Sequence, residues 1–476
     1  MIKRFIEKVL GKSRRGKAAG ASEPVRYVQR DHGIDRRDIS HAALRTCEEL
    51  HRAGFRAFVV GGAVRDLLLR RHPKDFDVAT DATPEQVRSV FRRSRIIGRR
   101  FRLVHVMFGQ ETIEVSTFRT AHNAATNEDS ANTDEHGRLL RDNVYGSQAD
   151  DAIRRDFTMN ALFYDPEAEE VWDYVDGVQD IRKKRVVMIG DPEARYREDP
   201  VRMLRAARLA GKLGFSIDPA TEAPIASLRG LLSNVPEARL FDEMLKLLLS
   251  GHALDCISRL RALGLHTILL PALDEVLTAP ASATFSTLAL QRTDERIQAD
   301  KGVSPAFLFA ALFWFPMCAR TRELEARGAR PLAALHDAMD QTLERQRKTL
   351  AIPRRLDGNV KELWLAQSRF EQRSKAKAMR LLTHPRFRAC YDFYVLRAEA
   401  GDASLEVAEW WTAFQSVDDS ARETMFLADD APKKKRRRKR GGKKSSGGGV
   451  EGASDVGDAG PDRADDAPQT SKETPT

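Results

Sequence analysis

Cysteine is scarce in this chain: Cys47, Cys256, Cys318 and Cys390 are the four in 476 residues, and no two form a CxxC pair. Such scatter argues against a disulfide framework and a thiolate zinc site, and fits a reducing cytosol. Long apolar runs are lacking too. The strongest, around Phe307–Phe315, falls far short of the ~20 residues a membrane span needs and stops at Pro316. Histidine at metal-ligand spacing is also missing: His105, His122 and His136 match no such motif, and His336-Asp337 has no companion histidines for a metal phosphohydrolase. No repeat of fixed period is found. No cleavage site follows the N-terminal segment, so a signal peptide is not expected. Ile2, Phe5, Ile6, Val9 and Leu10 recur at helical spacing among Lys3, Arg4 and Lys8, a pattern open to a membrane-surface helix or to simple fraying.

What is present is apolar residue enough for a core, 42 % of the chain, and length for two to four domains. The net charge of +10 has a local origin: Lys433–Lys444 holds ten cations and no acid, and without them 69 basic residues face 69 acidic ones. A nearly neutral body therefore carries one strongly basic tail. Within it Lys433, Lys434, Lys435, Arg436, Arg437, Arg438, Lys439 and Arg440 are candidates for sequence-independent contact with RNA phosphates, or form a solvated extension.

Along the chain, helical periodicity runs from Ile39 to Arg52. Arg56–Val60 reads as a buried strand, Gly61-Gly62 as a tight turn, Ala63–Leu69 as a short helix and Asp75–Ala79 as a strand. Thr83-Pro84-Glu85-Gln86 is a helix start, with Thr83 as cap and Gln86 three residues on. Leu103–Phe108 and Thr112–Phe118 alternate around Gly109-Gln110 as a hairpin. The polar stretch Asn123–Asn143 reads as a flexible loop, and short strands are expected over Ala161–Tyr164 and Val171–Tyr174. Beyond Asp199 nearly everything is Leu-rich and helical through Leu427, with Trp314, Trp364, Trp410 and Trp411 expected in the core. Residues 428–476 have the composition of a disordered tail.

The chemistry concentrates in GGAVRDLLLRRHPKDFDVAT, Gly61–Thr80. Residues two apart in a strand share a face, so Asp75 and Asp77 point together while Phe76 and Val78 point into a core. Two parallel carboxylates can share a pair of Mg²⁺ ions, which suggests nucleotide transfer. Gly61-Gly62 lets backbone N–H groups approach a phosphate, and Arg65 could add a charged fork. A third carboxylate is expected from Glu114, in an alternating strand, or from Asp156, in RRDFTMNAL; Asp156 is favoured because it sits between arginines and an apolar run. Asp199, Arg202 and Arg205 fall at i, i+3 and i+6 on one helical face. Such a trio could read an adenine edge, Asp199 accepting and Arg202 donating, or simply form intrahelical salt bridges. Spacing alone does not choose between the two.

These motifs, together with RDHGI (Arg30–Ile34), GRRFRLVHVMFG (Gly98–Gly109), EVSTFR (Glu114–Arg119) and RYREDPVRMLRAARLAGKLGF (Arg195–Phe215), resemble bacterial poly(A) polymerase, of the class II nucleotidyltransferases that also contain the CCA-adding enzymes. The resemblance implies an α+β fold: a DNA-polymerase-beta-like head with a mixed sheet, then an all-helical neck and body and a disordered basic tail. The implied divisions are a basic N-terminal extension over 1–35, a catalytic head over 36–185, a neck over 186–260, a body over 261–427 and the tail over 428–476. Two Mg²⁺ ions on Asp75 and Asp77 are implied, with Asp156 as third acid. Gly61, Gly62, Arg65, Arg155, Asp199, Arg202 and Arg205 would contact ATP, which would be added without template to RNA 3′ ends. RNA-decay machinery is an expected partner, with no stable membrane insertion. A cytoplasmic location is expected, the N-terminal segment offering peripheral contact with the inner face of the membrane. Arg70 departs from the family's usual glycine after the Leu run. A CCA-adding tRNA enzyme with the same head, and a non-catalytic RNA-binding protein on a transferase scaffold, are the alternatives.

Overall fold

The computed structural model describes residues 23–98, 102–120, 144–270, 276–277, 279–348, 350 and 352–429. The N-terminal helical pattern, the Asn123–Asn143 stretch and the basic tail lie outside the described residues. The chain divides into two compact units, residues 1–422 and 423–476, and the head, neck and body elements through Ser416 belong to the first.

Eight strands form one sheet: β1 (Val25–Val28), β2 (Ala57–Val60), β3 (Asp77–Thr80), β4 (Ser94–Ile97), β5 (Leu103–Phe108), β6 (Glu111–Thr117), β7 (Leu162–Asp165) and β8 (Glu170–Asp173). Their order is β1-β8-β7-β2-β3-β6-β5-β4. Only the β3–β6 pairing is parallel; every other neighbour in this sheet is antiparallel. The N-terminal extension expected over 1–35 is partly absorbed here, because Val25–Val28 pairs with β8 as an edge strand. The Asp75–Ala79 strand is shifted: pairing starts at Asp77, opposite Val60, and Asp75 lies just before it. The alternation nevertheless persists, with Asp75 and Asp77 exposed on either side of buried Phe76.

The two faces of the sheet differ. Val59, Val78, Val104, Val106, Ile113 and Val115 are buried on one, and helix His41–Arg52 packs on β2, β3 and β6. Its start is capped by Ser40, whose hydroxyl accepts from the Ala43 N–H. The other face gathers Phe58, Val60, Ala79 and Phe163 with Phe118, Ala152 and Ile189 into an apolar cluster. Phe58 meets Phe118 and Phe163 at ring distances of 6.2 Å each. Thr83 and Gln86 form the expected capping box of helix Pro84–Val90. Arg70 adopts φ +56°, the left-handed region where glycine is at ease, and its guanidinium donates to the Gly33 carbonyl.

Past the sheet the chain is mostly helical, apart from a short parallel pair, Arg185–Val186 with Ser216–Ile217. Helix Val201–Leu213 starts directly after Pro200, which holds the cap position, and stops at Gly214 with φ +69°. It packs against helix Ala253–Ala262, and a β-carbon at Gly211 would lie 2.7 Å from the Cys256 backbone, so the approach requires glycine. Trp314, Trp364 and Trp411 are buried, each with its indole N–H bonded, whereas Trp410 is half-buried and stacks on Phe414. Among the described residues no helix is long and apolar enough to cross a membrane.

Candidate active site

The strand register places the acids. β2 runs into Gly61 at φ +74°, a turn that opens helix Gly62–Leu68, while β3 begins beside it at Asp77. Because β3 and β6 are parallel, Asp77 stands directly beside Glu114. Glu114 in turn faces His105 across the β5–β6 hairpin, with His105 Nε2 3.3 Å from its carboxylate. Asp77 meets solvent yet is closely surrounded by protein. Burial, then Glu114, and to a lesser degree Asp75, push its carboxyl from an ordinary 3.8 up to about 6, against the opposing pull of Arg155. The carboxylate beside Asp77 is thus Glu114. The sequence favoured Asp156, but that side chain is engaged elsewhere: one oxygen accepts from the Phe157 N–H at 2.8 Å and the other from Arg205 at 3.4 Å. Local sequence could not reveal the β3–β6 pairing that decides this.

Around the glycine turn the cations are held in place. Arg65 is buried, bonded through Nε and Nη2 to Asp66 and through Nη1 to Asn160 Oδ1 at 2.7 Å. It is therefore not the free fork that the motif suggested; it lies 3.5 Å from where a Gly62 β-carbon would stand and supports the turn from beneath. Arg155 is gripped by Asp151 at 3.0 and 3.2 Å, donates to the Asn160 carbonyl and lies over the Phe163 ring, close to Gly61. Asn160 joins these groups and also donates to Asp156 at 3.4 Å. Its role was missed, although it sits inside RRDFTMNAL.

The neck contributes a second ionic cluster. Arg202 is buried and donates to Glu198 and to the Arg195 carbonyl, both at 2.8 Å. Arg205 spans Asp156 and, at 3.9 Å, Glu243; Arg208 bonds Glu243 at 2.6 Å. Asp199 is not paired with Arg202: Arg239, from helix Glu237–Leu248, holds both its oxygens at 3.1 and 3.2 Å. Burial alone would raise Asp199, yet Arg239, Arg205 and Arg202 together keep its carboxyl below the usual range. The signal for Arg239 and Glu243 lay in NVPEARLFDEMLKLL, which the motif reading left without a role.

Asp75, Asp77 and Glu114 offer carboxylate oxygens, the donors a hard divalent cation prefers, and the Asp77 carboxyl is raised by burial first and by its acidic neighbours second. Among the described residues no three acids, histidines or cysteines close into a cage. A mixed sheet with this acidic edge beside a glycine turn, leading into an arginine-lined helical neck, is the architecture of a nucleotidyltransferase.

Comparison with known proteins agrees. The Poly A polymerase head domain matches residues 57–187, the probable RNA and SrmB-binding site of polymerase A matches 214–277, and the polymerase A arginine-rich C-terminus matches 327–445. The chain is 43 % identical over 425 residues to Poly(A) polymerase I of Salmonella typhi, covering 87 % of this chain and 91 % of that relative. Its likeness to the CCA-adding enzyme of Lactobacillus helveticus is 36 % over 216 residues, 45 % of this chain and 52 % of the relative. Among solved structures, the Bacillus stearothermophilus CCA-adding enzyme in complex with CTP matches with TM-score 0.53 and 25 % identity, covering 81 % of this chain and 82 % of that one. The chain belongs to the poly(A) polymerase family.

Proposed function

We propose that the protein adds adenylate to RNA 3′ ends without a template, using ATP and a divalent metal and releasing pyrophosphate. The observation that carries this reading is coverage: likeness to a Poly(A) polymerase I spans 87 % of the chain, against 45 % for a CCA-adding enzyme. Asp75, Asp77 and Glu114 would hold two Mg²⁺ ions, which when bound neutralise the triphosphate and acidify the attacking hydroxyl. The 3′-oxygen forms its bond to the α-phosphorus as the bond to the bridging oxygen breaks and pyrophosphate leaves. Glu114, beside Asp77, is placed to receive the hydroxyl proton, the role the sequence offered first to Asp156. Gly61 and Gly62 bring backbone N–H groups towards the phosphates, with Arg155 adding charge. Arg65 acts through the turn it supports.

Asp199, fixed by Arg239, presents an acceptor to the adenine amino group, and Arg205 lies beside it; Arg202 steadies the same helix from within. A preset edge of this kind selects a base without a template strand. The head over 36–185, extended to β1, carries the chemistry; the neck over 186–260 and the body over 261–427 hold nucleotide and RNA, and the 428–476 tail adds phosphate contacts. Recruitment by RNA-decay machinery suits the match to an RNA and SrmB-binding segment, and the 1–10 stretch suits peripheral contact with the inner face of the membrane. Incubating the purified protein with a short oligoribonucleotide and ATP or CTP, separately, tests the reading. Long A-tails are expected; limited C-then-A addition on tRNA alone would replace it with the CCA-adding alternative.

A further inference from the structure

On the helix-covered side of the head lies a cleft of about 650 Å³ that the catalytic site does not use. Arg45, Arg92, Arg93 and His41 line it together with Phe91 and Phe108. The three arginines are exposed. Among the described residues neither Arg92 nor Arg93 enters an ion pair, and Arg45 has the Phe108 ring 5.9 Å away as its partner. Glu49, an acid at the rim, is already matched by Arg52 at 2.8 Å. Phe91 and Phe108 meet edge to face at 6.5 Å, so one aromatic surface stands among unneutralised guanidiniums. Elsewhere in the head most guanidiniums are bound by carboxylates, as with Arg65 and Arg155. Cations left open beside an aromatic face match a single-stranded nucleic acid, whose phosphates need charge and whose bases need a stacking platform.

The cleft and the acids share a wall. On the β5–β6 hairpin, His105 and Glu114 stand on the acidic face, while Val106 and Phe108 alternate to the other side. We propose that this cleft binds a single-stranded segment of the RNA substrate upstream of its reacting 3′ end, phosphates on Arg45, Arg92 and Arg93 and a base against Phe108. The proposal rests on the reading of the chain as an RNA-adenylating enzyme.

The test is the double variant Arg92→Ser/Arg93→Ser of the full chain, with Phe108→Ala beside it. Neither arginine side chain supports the fold; the Arg93 carbonyl accepts the Met107 N–H, a bond the substitution keeps. Binding of a labelled single-stranded RNA of about 20 nucleotides, longer than one such groove, is measured by anisotropy across salt. The double variant is expected to bind several-fold more weakly, its log K against log salt slope reduced by about 1.4 for two lost phosphate contacts. Phe108→Ala should weaken binding with its slope unchanged, and Arg92→Lys/Arg93→Lys should restore the slope. Adenylate incorporation on a saturating trinucleotide primer should match the parent in every variant. Unchanged affinity and slope in the double variant would overturn the proposal while leaving the catalytic reading standing. A parent protein inactive on the trinucleotide would instead remove the catalytic reading, whatever the cleft binds.

Discussion

Asp77, exposed at its tip, and Asp199, half-buried, are both carboxylates crowded by protein, yet their surroundings drive them in opposite directions. At the start of β3 burial, Glu114 and Asp75 outweigh Arg155, and the Asp77 carboxyl climbs to about 6. In the neck Arg239, Arg205 and Arg202 outweigh burial, and Asp199 stays below its ordinary value. The first cluster is short of positive charge. The second carries its own cations, so its carboxylate keeps one orientation with nothing bound. One region is built to recruit, the other to present.

The largest break in that contrast comes from Asp77→Asn. Adenylate incorporation should fall at least about a thousandfold, since the cation site loses a charge where the reaction needs it most. The same change should stabilise the metal-free protein at pH 8. A carboxyl raised from 3.8 to about 6 favours the folded state fully below pH 3.8, and that contribution is lost as pH rises through about 6. Removing the penalised charge should lift Tm in EDTA by about 1–3 °C, the gain vanishing below pH 4. A Tm that falls at pH 8 would contradict the crowding.

Glu114→Gln against Asp156→Asn sharpens the boundary between the two clusters. Glu114→Gln should lower kcat about a hundredfold and weaken Mg²⁺ dependence, whereas Asp156→Asn should act mainly on KM for ATP, by about tenfold, through the loosened Arg205. The reverse pattern would return the third-acid role to Asp156. Next in size is Arg239→Met, which unpins Asp199. Discrimination of ATP over CTP should drop about fivefold to tenfold. A carboxylate held low contributes stability above its unfolded value and loses it as pH falls, so the acid-unfolding midpoint should move to higher pH. Smallest in the active site is the effect of deleting 433–444: turnover on saturating primer should be unchanged, while RNA affinity and its salt slope decline.

Much of this site could be read locally. The Gly61-Gly62 turn, the exposed-buried alternation through Asp75–Val78, the β5–β6 hairpin and the Thr83 capping box all depend on neighbours within a few positions, where periodicity and turn chemistry act. That Glu114 stands beside Asp77 could not be read locally, because a parallel strand pair joins residues 37 positions apart, and no local pattern encodes that register. The packing around Arg65 and Arg202 was out of local reach for a similar reason. Their carboxylate partners, Asp66 and Glu198, were visible nearby, but burial and the added grip of Asn160 and the Arg195 carbonyl come from tertiary packing. Residues 25–28 were set aside with the extension because an edge strand so short resembles a linker.

The parallel β3–β6 pairing has a consequence for how the enzyme is born. The antiparallel β5–β6 and β7–β8 pairs can zip from a nearby turn, but β3 must wait for β6, whose partner residues lie 37 positions further along the chain. A nascent chain ending before Glu111 holds Asp75 and Asp77 without the strand that carries Glu114. Such fragments should therefore stay inert towards ATP, and newly made protein gains its chemistry only once the distant strand has docked.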